Sequence, residues 1–229
     1  MWLPVTRGGH GRGFRNGRRF RSRPPGLVIE YRLSAGCSRA SMPERRWTLR
    51  SPRVHGLIFA SFRDYLLTEH GAEVARDVTV GEPQYTLSEA YPDEQFLALL
   101  DGACARTSLS RDELLFDFGA FTAATTFARL YSVLFRMSPT AREFLLTVET
   151  PIHEVIRETL PDARPPELAV TDLGDRGLGI VYTSPRRICA MLRGLVEGTG
   201  QVYGEALQVE ELECMHHGAP ACRFEIRFP

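Results

Sequence analysis

The sequence predicts an α+β domain: a helical first half, then a mainly antiparallel four-stranded sheet with one helix crossing it. Three observations lead there. Apolar residues recur at helical spacing through the first half, period-two alternation takes over in four short runs of the second half, and a sharp change in charge marks where organised sequence begins. Residues 1–53 hold 13 arginines against only Glu30 and Glu44, a net +11, whereas the remaining 15 arginines face 26 acids, a net −11.

The opening tract, "RGGHGRGFRNGRRFRSRPPG", is rich in Arg and Gly and lacks apolar periodicity, so residues 1–53 read as a disordered extension. Such tracts can bind RNA through charge and stacking, but an Arg-rich run is more often simply solvated, and nucleic-acid binding is not the expectation. Organised sequence starts abruptly at "VHGLIFASFRDYLL", and a Val54 codon can serve as a bacterial start. The extension therefore reads as the product of a start site placed too far upstream, with the domain proper at residues 54–229.

Within that domain, Leu57, Ile58, Phe62, Tyr65 and Leu66 share a helical face, and the run closes at Gly71. A second helix is expected at "YPDEQFLALL" with Pro92 at its first position. A third is expected at "SRDELLFDFGAF", where Ser110 can cap and Asp112 and Glu113 suit the positive helix end. "SPTAREFLLTVE" offers a further start at Ser138, and Thr150 and Pro151 are expected to restart a helix just before His153. After that, "ELAVTDL", "LGIVYTS", "LQVEELECM" and "CRFEIRF" read as strands, with "RRICAMLRGLVEG" as the crossing helix and "HHGAP" as a hairpin turn.

Composition excludes several classes. No stretch approaches 18 uninterrupted apolar residues, and arginine stands where a signal peptide needs its apolar run, so a cytoplasmic protein without a membrane span is expected. Five cysteines are too few for a disulfide framework in 229 residues, which favours reduced thiols or metal ligands. No Gly-rich phosphate loop, G-x-S-x-G elbow or H-E-x-x-H motif occurs, so the sequence offers no support for a hydrolase or nucleotide enzyme.

What remains is a short set of residues with chemistry. Tyr182, Ser184 and Arg186 alternate as if on one strand face, and a phenol, a hydroxyl and a guanidinium together suit a carboxylate or a phosphate. His153, read as sitting in the first turn of a helix, would be held neutral by the positive helix end, the state that binds a metal. Beside Ile152, Val155 and Ile156 it equally fits a packed core histidine. Cys214 and Cys222 are equidistant from Gly218, so a symmetric hairpin would place them opposite one another, close enough for a disulfide or two legs of a metal site.

Taken in order, "HGLIFASFRDYLL", the histidine of "IHEVIRETLPDARPPEL" and Y-x-S-x-R resemble the haem nitric oxide/oxygen binding (H-NOX) family from Val54 to Phe228. The resemblance implies a haem b cofactor between the two halves. By position, His153 would be the proximal iron ligand and Tyr182, Ser184 and Arg186 would hold the propionates. Ile58, Phe62, Pro166, Met191 and Leu195 would line or distort the haem. Members that hold O₂ have a distal tyrosine where Met191 stands, so nitric oxide and CO are the expected ligands, with Thr122 or Tyr65 as the donors that could overturn this. One departure is "GAEVARD", which occupies the place where a tryptophan often follows the first helix.

The resemblance further implies a non-enzymatic sensor acting on a separate histidine kinase or cyclic-dinucleotide enzyme. Cys189, Glu211, Cys214 and Cys222 have a spacing similar to the zinc site of related vinyl-reductase-type sensor domains, which implies a structural zinc. Glu211 would need a bulge to reach that side of its strand, and His216 or His217 is the alternative fourth ligand. The rival expectation is a haem-free sensor of an aromatic effector on the same scaffold with the same zinc.

Overall fold

The computed structural model describes residues 53–229. The expectation for residues 1–52 lies outside the described residues, and Arg53 opens the first strand. Strand β1 (Arg53–His55) pairs antiparallel with β2 (Ala90–Pro92), a ribbon too short to show period-two alternation in the sequence. Helix α1 (Gly56–Tyr65) follows directly, with His55 Nδ1 accepting the Leu57 N–H at 3.0 Å. Burial lowers the His55 pKa, which keeps the imidazole in the neutral form that can accept. The helix continues as a π-helical turn, Leu66–His70, and breaks at Gly71 as expected.

Helices α2 (Gly71–Thr79), α3 (Asp93–Thr107) and α4 (Arg111–Phe121) complete the first layer. Ser110 caps α4 in a full capping box with Glu113, two backbone donors being satisfied reciprocally. Pro92, expected as the first helical residue of α3, instead ends β2 and precedes the helix, because its backbone is extended (ψ 137°) to serve the ribbon. Helix α4 runs through a π-helical turn, Thr122–Phe127, into α5 (Ala128–Leu130) and α6 (Ser132–Met137).

Two of the expected starts shift. Helix α7 (Ala141–Thr147) is capped by Thr140, whose hydroxyl accepts the Glu143 N–H at 3.3 Å, rather than by Ser138. No new helix begins at Thr150 and Pro151 either. Residues Glu149–Glu154 form a π-helical turn that passes straight into α8 (Val155–Thr159). Proline lacks the N–H and its ring crowds the carbonyl four residues back, and the wider turn accommodates both. His153 is therefore in the middle of a helical path, not at its positive end.

The second layer is the sheet β3 (Glu167–Asp172), β4 (Leu178–Thr183), β5 (Gln208–Glu213) and β6 (Cys222–Arg227), antiparallel in the order β3-β4-β6-β5. Leu178, Ile180 and Tyr182 lie opposite Ile226, Phe224 and Cys222, so one face of the two central strands is apolar. Helix α9 (Cys189–Tyr203) crosses that face.

Two apolar cores result, and α9 serves both. Its Cys189, Leu192 and Val196 pack into the sheet-side core. Its Ala190 and Met191 join the helical core of α1, α3 and α4, with Leu195 packed against it. Contact with α4 is backbone to backbone. A Cβ at Gly194 would lie 2.0 Å from the Phe116 carbonyl oxygen, one at Gly119 2.3 Å from that of Met191, and one at Gly198 2.3 Å from that of Ala120. Gly194→Ala should therefore force the two helices apart and cost about 1–3 kcal/mol. The shift of the urea midpoint against wild type measures it, and an unchanged midpoint would mean that α9 and α4 are not in backbone contact.

Candidate functional site

Tyr182 on β4 and Ser184 just past its end are both buried, at 2% and 3% exposure. The strand ends at Thr183, so Arg186 is not its next member on the Tyr182 face as the alternation implied. A turn delivers it instead, in which the Arg186 N–H donates to Ser184 Oγ at 3.3 Å and the Arg187 N–H donates to the Ser184 carbonyl at 3.2 Å. Ser184 thus shapes the turn that aims the arginine.

The Arg186 side chain is 4% exposed and meets a partner that the sequence did not suggest, Asp93 at the start of α3. Nε lies 2.8 Å from Asp93 Oδ1, a charge contact off the N–H line. Nη1 donates to the Arg164 carbonyl and Nη2 to the Arg53 carbonyl at 2.9 Å. Burial pushes the Asp93 carboxyl up from its usual value and the neighbouring guanidinium pulls it back. An acid in the first turn of a helix reads as a dipole partner, which hid this role. With five N–H donors, the guanidinium keeps donors beyond these three contacts. The Tyr182 hydroxyl, with Ser184 as polar neighbour, is buried without a well-formed hydrogen bond, and desolvation pushes its pKa up to about 12. A buried phenol held protonated is a donor in want of an acceptor oxygen.

His153 carries its own surprise. Its Nδ1 lies 2.6 Å from Glu149 Oε2, and Glu149 Oε1 accepts from Arg157 Nη2 at 2.6 Å. A carboxylate, not a helix dipole, governs this imidazole, and with Nδ1 engaged the lone pair left for a metal is on Nε2.

Phe62 and Met191 are buried in the helical core, and Ile58 and Leu195 pack against it. Pro166 is half-buried on the segment leading into β3. Beside it a cavity of about 400 Å³ is bounded by Arg157, Pro161, Ala163, Arg164, Pro165 and Glu167. None of the residues singled out from the sequence lines it. The candidate distal donors are occupied: the Tyr65 hydroxyl pairs with His70 Nε2 at 3.0 Å, and Thr122 with Ser61 at 3.0 Å, Ser61 also meeting Thr126 at 2.9 Å.

The cysteine cluster assembles across elements. Ligand atoms of Cys189 on α9, Glu211 on β5, Cys214 and Cys222 lie within 4.8 Å of one another. Cys214 Sγ is 3.7 Å from that of Cys189 and 3.9 Å from that of Cys222, too far for a disulfide, and all are free thiols. A register shift between Glu211 and Glu213 supplies the bulge that turns Glu211 inward. His216 is engaged elsewhere, its Nε2 2.7 Å from the Arg187 carbonyl. Burial raises the Cys189 and Cys214 pKa values, that of Cys214 to about 11, and Glu211 Oε1 is buried without a hydrogen bond. Three buried sulfurs and an orphaned carboxylate oxygen form a donor set that a tetrahedral cation would satisfy.

Helices layered over a four-stranded antiparallel sheet, with α9 between, make up the H-NOX fold. An H-NOX protein from S. oneidensis, in its Fe(II)NO ligation state, is similar at TM-score 0.70 and 19% identity, covering 77% of this chain and 99% of that one. An unliganded Fe(II) H-NOX protein from K. algicida is similar at TM-score 0.66 and 25% identity, covering 77% and 97%. Comparison with curated proteins gives no match. A family model, haem-NO-binding, matches residues 55–211, and the chain belongs to that family. Its H-NOX homologues are haem-based gas sensors, sensor domains rather than enzymes. Among the described residues no helix is long and apolar enough to cross a membrane.

Because Asp93 is the only carboxylate paired with Arg186 among the described residues, Asp93→Ala should leave a buried charge alone and cost about 3–5 kcal/mol. Chemical denaturation measures it, and adding Arg186→Met should recover part of the loss. A double variant less stable than Asp93→Ala would sink the assignment of that cost to the stranded guanidinium.

Proposed function

We propose that this chain is a cytoplasmic gas sensor in which a ferrous haem b is held by His153 and signals to a separate effector, with no catalysis of its own. The buried Tyr182 hydroxyl carries the reading, because it has no well-formed hydrogen bond within the protein and a propionate oxygen would be an acceptor for it. When bound, the haem supplies a ferrous iron with an open position for a diatomic gas. His153 provides Nε2. Tyr182, Ser184 and the remaining Arg186 donors would hold the haem carboxylates. Ile58, Phe62, Met191 and Leu195 would surround the group with apolar side chains and keep water from it, and Pro166 would pack against it.

Selectivity follows from what the distal wall lacks. Bound O₂ gains negative charge and needs a donor, whereas NO and CO do not. The Met191 thioether is at best a weak acceptor, and the Tyr65 and Thr122 hydroxyls are turned to His70 and Ser61. Nitric oxide and CO are therefore the ligands. A gas signal that loosens His153 would free the Glu149–Thr159 segment and shift the load on Pro166, and an effector that distinguishes the two states reads it. A histidine kinase or a cyclic-dinucleotide enzyme would suit that role.

The absorption spectrum of purified, reduced protein is the test. A Soret band should appear, CO and NO should shift it, and air should leave no lasting oxy form. His153→Gly should lose the band unless imidazole is supplied. Colourless wild-type protein after haem supplementation would favour the haem-free aromatic-effector sensor instead.

We further propose that Cys189, Glu211, Cys214 and Cys222 hold one structural zinc. The cation would keep buried thiolates ionised where burial alone favours thiols, and would tie α9 to the β5–β6 hairpin. Elemental analysis should find close to one zinc per chain, and Cys214→Ser should lose it and lower the melting temperature. Metal-free wild type prepared without chelator would refute the site.

A further inference from the structure

Glu149 is placed to do more than fill space beside His153. Its two carboxylate oxygens are divided between two partners on the same helical path, Oε2 against the His153 ring nitrogen at 2.6 Å and Oε1 against the Arg157 guanidinium at 2.6 Å. The histidine and glutamate side chains are mostly shielded, at 17% and 22% exposure, while Arg157 reaches solvent at 37%. A carboxylate that accepts from Nδ1–H fixes the tautomer with its lone pair on Nε2 and pushes negative charge into the ring, so the imidazole becomes a stronger donor. Such a bond to an ionised acceptor is about twice as strong as one to a neutral group. Arg157 draws on the same carboxylate and so moderates the effect.

We infer that Glu149 is a positioning residue that sets the donor strength of His153, with Arg157 as its counterweight, and thereby sets how strong a gas signal must be to release the segment carrying that histidine. The inference rests on the reading of His153 as iron ligand. It is specific to the Glu-x-x-x-His-x-x-x-Arg spacing of residues 149, 153 and 157, which the π-helical turn brings onto one face. The Thr150 and Pro151 start expected from sequence would have left this carboxylate outside the helix.

Two variants act in opposite directions. Glu149→Gln keeps the shape and removes the charge, so the iron–histidine stretching frequency of the reduced protein should fall and haem loss should quicken by roughly 10- to 100-fold. Arg157→Met leaves the carboxylate unshared, so the same frequency should rise. General loosening of the helix would lower both, and that outcome, or no shift in either, would overturn the inference. Nitrogen NMR of the chain expressed without haem provides an arm independent of iron, because iron on Nε2 would itself hold the Nδ1–H tautomer. With His153 labelled, this wild type should show the Nδ1–H tautomer, and Glu149→Gln should shift population toward Nε2–H. A wild type that takes up no haem when supplied with it, but whose Nδ1–H tautomer is lost in Glu149→Gln, would refute the haem reading and keep the contact. A tautomer indifferent to Glu149 would refute the contact itself.

Discussion

Helix α9 is shared by two cores, and most of the architecture depends on how closely it approaches α4. Gly119, Gly194 and Gly198 remove the side chains that would hold the helices apart, so backbone rests on backbone. Only then can one fifteen-residue helix present Met191 to the aromatic core and Cys189, Leu192 and Val196 to the sheet. A helix apolar around most of its circumference is stable only if both sides are covered.

Because α9 follows β4 after a tight turn, the close approach also fixes the polar residues. The turn at Ser184 sets the direction of Arg186, and Arg186 in turn gathers three distant parts of the chain: Asp93 on α3, the carbonyl of Arg164 before β3 and the carbonyl of Arg53 on β1. This guanidinium joins the helical half to the strand half. A residue assigned to ligand binding therefore also has a structural task, and its substitution will affect both.

The cysteine cluster sits on the opposite side of the same logic. Tyr182 and Cys222 are cross-strand neighbours, so the residue offered to the cofactor and one offered to the cation share a rung of the sheet. Cys189 opens α9 two residues before Met191. The two proposed sites are thus mechanically adjacent, although each has its own donor chemistry.

Much of this was legible in the sequence. Period-two runs located the four strands of the sheet to within a residue or two, and 3.6-period runs located α1, α4 and α9, because alternation and helical spacing are imposed locally by which face is buried. The closeness of Cys214 and Cys222 was also legible, since separations along a hairpin nearly define separations in space, whereas Cys189 and Glu211 came only with the resemblance. Tertiary structure alone decided the rest. The Asp93–Arg186 pair joins residues far apart in the chain, with no local pattern to announce it. The π-helical turn at Glu149–Glu154 is a compromise between Pro151 and continued helix packing. It moves His153 from the influence of a helix end to that of a carboxylate, and local propensity could not foresee this because the deciding energy is in the packing on either side.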